Sequence, residues 1–114
     1  PTSMAAALEN FSNVSADCKV ALLGDMLELG EESLAEHVAA IRSACSRGLN
    51  RVCFVGKEFK AASSEVEGDI LSDARFFETS AELAAYLAEE QLSGATVLIK
   101  GSRGTRMENV IPML

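Results

Sequence analysis

The sequence predicts an α/β domain built on a mainly parallel sheet with helices on both faces. Two observations carry that expectation. Short apolar runs, too continuous for half-exposed strands, alternate with stretches whose apolar residues recur at helical spacing. Three of those runs stop at a glycine (Gly24, Gly56 and Gly101), the punctuation of a buried strand passing into a loop.

The first element is a helix: Met4, Ala7, Leu8 and Phe11 recur at i, i+3, i+4 and i+7, with Thr2 or Ser3 as its N-cap. Lys19-Val20-Ala21-Leu22-Leu23, stopping at Gly24, reads as a strand covered on both sides. A second helix puts Leu34, Val38, Ile41 and Cys45 on one face, with His37 at its edge. Ser33 with Glu36 fits a capping box, and Gly48 is placed to end the helix in the left-handed conformation. Arg51-Val52-Cys53-Phe54-Val55 forms the next strand, up to Gly56.

Residues 57–73 carry the least pattern: Phe59, Ala61 and Ala62 start a short helix, whereas 63–64 and 68–69 read as surface loop. Ala74-Arg75-Phe76-Phe77 is a short strand. Thr79 with Glu82 makes another capping box, ahead of a helix presenting Leu83, Tyr86 and Leu87 on one face. Residues 95–100 form the last strand, with Leu98 expected at the centre of the sheet. Met107, Val110, Ile111 and Leu114 trace a closing amphipathic helix, kinked or stopped by Pro112. This order gives a Rossmann-like three-layer domain with right-handed crossovers.

At 114 residues and 48% hydrophobic, the chain from 1 to 114 is one domain, able to pack a core without disulfides or metal. Seventeen acids against ten Lys and Arg give a net charge of −7, spread along the chain, which excludes the footprint of a nucleic-acid module. No apolar run reaches the roughly 18–20 residues of a membrane helix, and no signal-like segment opens the chain. Cys18, Cys45 and Cys53 form no C-x-x-C pair, as expected of reduced cysteines in a cytoplasmic protein.

In an open parallel sheet, ligands bind beyond the carboxyl ends of the strands. Here those ends are Gly24-Asp25, Gly56-Lys57, Glu78-Thr79 and Lys100-Gly101-Ser102-Arg103-Gly104, all expected on one rim. The last segment is the richest. Its glycines let backbone N–H groups approach a ligand, and Lys100 and Arg103 can pair with carboxylate or phosphate; the same residues would equally serve as a solvated turn. Asp25 either orients a ligand or neighbouring domain, or bonds nearby backbone as a turn residue. Met26, Leu27 and Leu29 are apolar where a loop is usually polar, and so pack on the domain or on a partner. His37, the only histidine, lies near the core-facing stripe and reads first as structural, with a ligand or proton-transfer role as the alternative. No Ser-His-Asp set, paired carboxylates or metal-ligand cluster can be assembled. Neither G-x-x-x-x-G-K-[ST] nor G-x-G-x-x-G occurs, so the domain should not hold a triphosphate by itself.

Several strings resemble known motifs. Pro1-Thr2-Ser3-Met4-Ala5-Ala6-Ala7-Leu8 resembles the end of the motif that opens the C-terminal domain of Mur ligases. Leu23-Gly24-Asp25-Met26-Leu27-Glu28-Leu29-Gly30-Glu31-Glu32-Ser33, with His37 after it, is similar to the signature of one branch of that family. Lys100-Gly101-Ser102-Arg103-Gly104, with Met107-Glu108, is similar to the closing motif of the same branch. The resemblance spans essentially the whole chain.

It implies the third domain of a three-domain, cytoplasmic ligase of peptidoglycan synthesis. Such an enzyme uses ATP and Mg2+ to activate the peptide carboxylate of a UDP-N-acetylmuramoyl-tripeptide as an acyl phosphate, which the amine of D-alanyl-D-alanine attacks. The P-loop and magnesium ligands would belong to the parent's central domain, which this one would contact and close upon. The resemblance makes Lys100, Gly101, Ser102 and Arg103 candidates for contacts to the dipeptide or nucleotide, with Asp25 organising the rim. No catalytic residue and no metal ligand is expected in this fragment, which should fold alone yet turn over no ATP. A sibling ligase adding another amino acid and a free-standing Rossmann-like binding module are the competing readings. Pro1 in place of an initiator Met, and a chain stopping at Leu114 within a helical pattern, favour a piece of a longer parent.

Overall fold

Period-two alternation divides each central strand between two cores, and that division builds the three layers. The computed structural model describes residues 2–27, 29–90 and 92–114. Its strands, β1 Lys19–Gly24, β2 Arg51–Val55, β3 Ala74–Phe77 and β4 Thr96–Lys100, are all parallel in the order β3-β2-β1-β4. Its helices are α1 Thr2–Ser12, α2 Ser33–Cys45, α3 Lys57–Ser63 and α4 Ser80–Glu89. Ala21 and Leu23 of β1 pack with Leu8 of α1, Ile41 of α2 and Phe59 of α3. Val20 and Leu22 face the other way, onto Leu83 and Leu87 of α4 and onto Met107 and Val110. The expected Rossmann-like arrangement is therefore present, with a fully buried leucine such as Leu22 contributing about 1.5–3 kcal/mol.

Local signals set several boundaries. Thr79 caps α4, its Oγ1 accepting from the Glu82 N–H at 3.1 Å, while the Glu82 carboxylate reaches back to the N–H of Glu78 at 3.1 Å. Gly48, at φ +70°, takes the left-handed conformation just beyond α2. Lys19 Nζ donates to the carbonyls of Phe11, Ser12 and Val14 at 2.9–3.3 Å, closing the C-terminus of α1 against β1.

Five expectations are corrected. The buried face of α2 is His37, Ala40, Ile41 and Ala44; Leu34 is 49% exposed, so the stripe is rotated from the one the leucine suggested. Ser33 does not cap α2, because Glu32 holds the cap position and the Ser33 hydroxyl turns to Glu58 and His37. Among the described residues β4 is an edge strand, pairing only with β1, and Leu98 is half-buried rather than central. The closing segment Met107–Met113 is a 3-10 helix, in which residues three apart share a face. Met107 and Val110 are accordingly buried, while Ile111 and Leu114 stay exposed. α1 already begins at Thr2, so Thr2 and Ser3, the residues expected to cap it, both lie within the helix; Pro1, and Glu28 of the family-like string, lie outside the described residues.

Candidate functional site

The strand order reverses direction at β1: the chain moves from β1 outward to β2 and β3, then returns to place β4 on the other side. A crevice opens at such a switch point, outside the carboxyl ends of the two strands. Here those ends are Gly24-Asp25 and Lys100-Gly101-Ser102. They approach closely because both carry glycine. A Cβ on Gly101 would come within 3.0 Å of the Gly24 Cα, and one on Gly24 within 2.6 Å of Thr105 Oγ1.

Asp25 is 4% exposed. Its Oδ2 accepts the Glu58 N–H at 3.0 Å and its Oδ1 the Phe59 N–H at 2.9 Å, so the carboxylate satisfies the first turn of α3 from across the sheet. Gly56 makes this possible. At φ +121° it occupies a conformation reserved for glycine, and a Cβ there would sit 2.1 Å from the Asp25 carboxyl carbon. The Asp25 N–H donates to the Val55 carbonyl at 2.9 Å. Its own carbonyl accepts both the Ser102 N–H, at 3.3 Å, and the Ser102 hydroxyl, at 2.9 Å.

Ser102 is thus tied to β1, and its carbonyl accepts the Thr105 hydroxyl at 2.7 Å. Lys100 is half-buried and Arg103 exposed; among the described residues neither enters an ion pair, nor do Lys57 and Arg106 on the same rim. Two hollows flank the β4 loop. One, of about 470 Å³, is lined by Lys57, Glu58, Glu78, Thr105 and Arg106 together with Asp25. The other, of about 230 Å³, is lined by Ser3, Met26, Leu29, Lys100, Gly101 and Ser102. Arg103 lines neither and stands on the turn between them, at the outer edge. Arg106 is held on the rim at φ +51°. A larger hollow of about 590 Å³ lies at the opposite end of the sheet, between Arg42, Cys45, Leu49 and Asp73, away from every strand carboxyl end.

The structure adds a buried polar group that spacing alone did not reveal. His37 is fully buried, with its ring edge-on to Phe59 at 4.6 Å. Its Nε2 accepts the Met26 N–H at 3.0 Å, so the proton sits on Nδ1, which donates to the Ser33 carbonyl at 2.7 Å. The Ser33 hydroxyl donates to Glu58 at 2.7 Å, and Asp25 Oδ1 lies 3.8 Å from Nε2. Ser33, His37 and Asp25 therefore meet in space, but not as a nucleophilic triad. The ring nitrogen nearest the serine carries a proton instead of a lone pair, and the serine hydroxyl is committed to a carboxylate. Only the pairing of Asp25 with α3 could have hinted at this cluster, and its partners lie more than thirty residues away in sequence.

Among the described residues no three His, Cys, Asp or Glu side chains are grouped to hold a metal ion, and no helix is long and apolar enough to cross a membrane. What the rim offers chemically is a mixed edge: cations that, among the described residues, make no ion pair, on a loop whose backbone is fixed from behind, beside the carboxylates of Glu58 and Glu78.

The profile of the family described as "Mur ligase, glutamate ligase domain" matches residues 1–103. The UDP-N-acetylmuramoyl-tripeptide–D-alanyl-D-alanine ligase of Escherichia coli is 37% identical over 98% of the chain, and that of Rickettsia prowazekii 32% identical over 97%. In each case the chain spans about a quarter (24%) of the relative's length. Among solved structures, a MurF from Acinetobacter baumannii superposes with a TM-score of 0.83 at 33% identity, covering 98% of this chain and 25% of that one. A MurF ligase from Thermotoga maritima, described as a complex with ADP, superposes at 0.70 with 26% identity over 99% of this chain and 25% of that one. With nine-tenths of its length inside the family profile, and relatives at this identity along nearly all of it, the chain belongs to the Mur ligase family and corresponds to its C-terminal domain.

Proposed function

We propose that the chain is the C-terminal domain of an ATP-dependent ligase that joins D-alanyl-D-alanine to a UDP-N-acetylmuramoyl-tripeptide in peptidoglycan synthesis. The observation that carries the reading is the rim at the β1/β4 switch point. There Lys100 and Arg103 stand free of ion pairs among the described residues, on a loop anchored by Ser102 to Asp25. The substrates carry carboxylate and phosphate groups, which such cations recognise. The relatives that match along the chain are named for this reaction.

In this reading the roles differ by position. Arg103, exposed at the outer edge, meets the free carboxylate of the incoming dipeptide with its planar fork when the parent's other domains close on the rim. Lys100, closer to the sheet, supplies a point charge toward the nucleotide or the acyl phosphate. Gly101 lets backbone approach the ligand. Ser102 and Asp25 hold the loop in place, since the hydroxyl proton of one and both carboxylate oxygens of the other are already engaged within the domain. Nucleotide and Mg2+ would be held chiefly by the parent's central domain, in keeping with the absence of a P-loop here. The chemistry those groups supply is activation of the tripeptide carboxylate; this domain binds, orients and covers.

The test is phosphate release by the full-length parent with ATP, Mg2+, the UDP-N-acetylmuramoyl-tripeptide and one acceptor at a time. Turnover with D-alanyl-D-alanine and none with D-glutamate or L-alanine is expected. Turnover with a single amino acid in its place would assign the chain to a sibling ligase. No turnover with any acceptor would leave the binding-module reading.

A further inference from the structure

The peptide group between Asp25 and Met26 is held at both of its polar ends. Its carbonyl accepts the N–H and the hydroxyl of Ser102, at 3.3 and 2.9 Å, from the β4 loop. Its N–H donates at 3.0 Å to Nε2 of His37, which reaches it from the buried face of α2. A peptide is planar, so its carbonyl and N–H turn together. Whatever fixes the N–H therefore fixes the carbonyl, and with it the point where Ser102 is tied. The Asp25 side chain cannot do this alone, because both its oxygens are spent on α3.

The histidine is suited to this duty in a way that an apolar residue at the same buried position is not. Its Nδ1–H is engaged by the Ser33 carbonyl at 2.7 Å, which leaves Nε2 as a lone-pair acceptor aimed at Met26. Packing against Phe59 fixes the ring plane. A leucine would fill the space but leave the half-buried Met26 N–H without its acceptor, and rotation of that peptide toward another acceptor or water relieves the loss. The rotation would take the carbonyl away from Ser102.

We propose that His37 is a positioning residue for the β4 loop: through the single peptide between Asp25 and Met26 it sets where Ser102, and hence Lys100 and Arg103, stand on the rim. It touches no substrate. Its kinetic consequence rests on the reading of that rim as the surface that meets the dipeptide, whereas its mechanical consequence does not.

The experiment uses the full-length parent and three variants, His37→Leu, His37→Gln and Ser102→Ala, with hydrogen–deuterium exchange followed over residues 24–27 and 100–106. Glutamine places Oε1 about where Nε2 lies and can accept from Met26. In His37→Leu, exchange over 100–106 should quicken about tenfold, the scale of one lost buried hydrogen bond. His37→Gln should restore most of the protection. Coupling is reciprocal, so Ser102→Ala should quicken exchange over 24–27; this surface change also carries the test if His37→Leu does not fold. Unchanged protection over 100–106 in a folded His37→Leu protein, equal loosening by leucine and glutamine, or unchanged protection over 24–27 in Ser102→Ala would each overturn the proposal. The same His37→Leu protein should show a KM for D-alanyl-D-alanine raised roughly tenfold, with the KM for ATP within about twofold of wild type. If exchange behaves as stated and that KM does not move, the linkage stands and the assignment of the rim to the dipeptide fails.

Discussion

The carboxyl ends of β1 and β4 lie side by side, one hydrogen bond apart, yet are built in opposite ways. At the end of β1 every polar atom of Asp25 is used inside the domain: N–H to Val55, carbonyl to Ser102, carboxylate to the first turn of α3. At the end of β4 the side chains of Lys100 and Arg103 make no ion pair among the described residues, although the loop beneath them is tied down by Ser102. A charged residue at a strand end thus marks the rim without revealing its task. The task depends on whether backbone N–H groups have already claimed the charge. Asp25 is architecture that holds the β4 loop; on the proposed reading, Lys100 and Arg103 are what that loop presents.

The comparison is easiest to break at Asp25. Replacement by alanine strips two N–H groups at the start of α3 of their acceptor and opens a hole against Gly56. The chain should lose about 2–4 kcal/mol in urea denaturation. Lys100→Ala and Arg103→Ala, removing groups that make no ion pair among the described residues, should each stay within about 0.5 kcal/mol of wild type. A loss at Arg103 as large as that at Asp25 would erase the distinction.

A smaller effect probes commitment of another kind, in the strand core and at the far end of the sheet. Burial pushes the Cys53 thiol up to about 11 from an ordinary 9.0, with Arg51 and Arg75 opposing. Burial, and then the Asp73 carboxylate, do the same for Cys45. Both thiols hold their protons more tightly folded than unfolded. Their contribution is intact below pH 9 and is lost as the pH rises toward 11. The urea midpoint should therefore fall across that window, and fall less steeply in Cys53→Ala, each variant being compared with itself at the lower pH. An unchanged slope would mean that Cys53 is not buried in this way.

Membership of the rim was legible because it needs only the ends of strands, and Gly24, Gly56 and Gly101 mark three of them. The cap of α4 was legible too, since Thr79 and Glu82 are neighbours along the chain. The rotated face of α2 was not. A leucine at position 34 and a histidine at 37 suggest which is buried, and here packing against Phe59 and the waiting Met26 N–H reverse the order. Strand order was equally hidden: the apolar character of residues 95–100 is that of a central strand, yet β4 pairs on one side only among the described residues. The closing helix was read at the wrong period because Met107, Val110, Ile111 and Leu114 fit a 3.6-residue stripe, whereas the 3-residue period of the segment parts Met107 and Val110 from Ile111 and Leu114. The division of labour between Asp25 and Arg103 escaped for the most physical reason of all. It is decided by N–H groups of α3 that reach Asp25 only once the sheet has formed.

The most direct test is the steady-state comparison of Arg103→Ala with the wild-type full-length parent, at matched melting temperature. If the β4 end is the presented surface, kcat/KM for D-alanyl-D-alanine should fall by roughly 30- to 150-fold, about 2–3 kcal/mol, the cost of leaving a carboxylate without its partner, while the apparent KM for ATP changes far less. Unchanged dipeptide kinetics would make Arg103 a solvated turn residue and contradict the account; an equal loss toward ATP would contradict its assignment to the dipeptide.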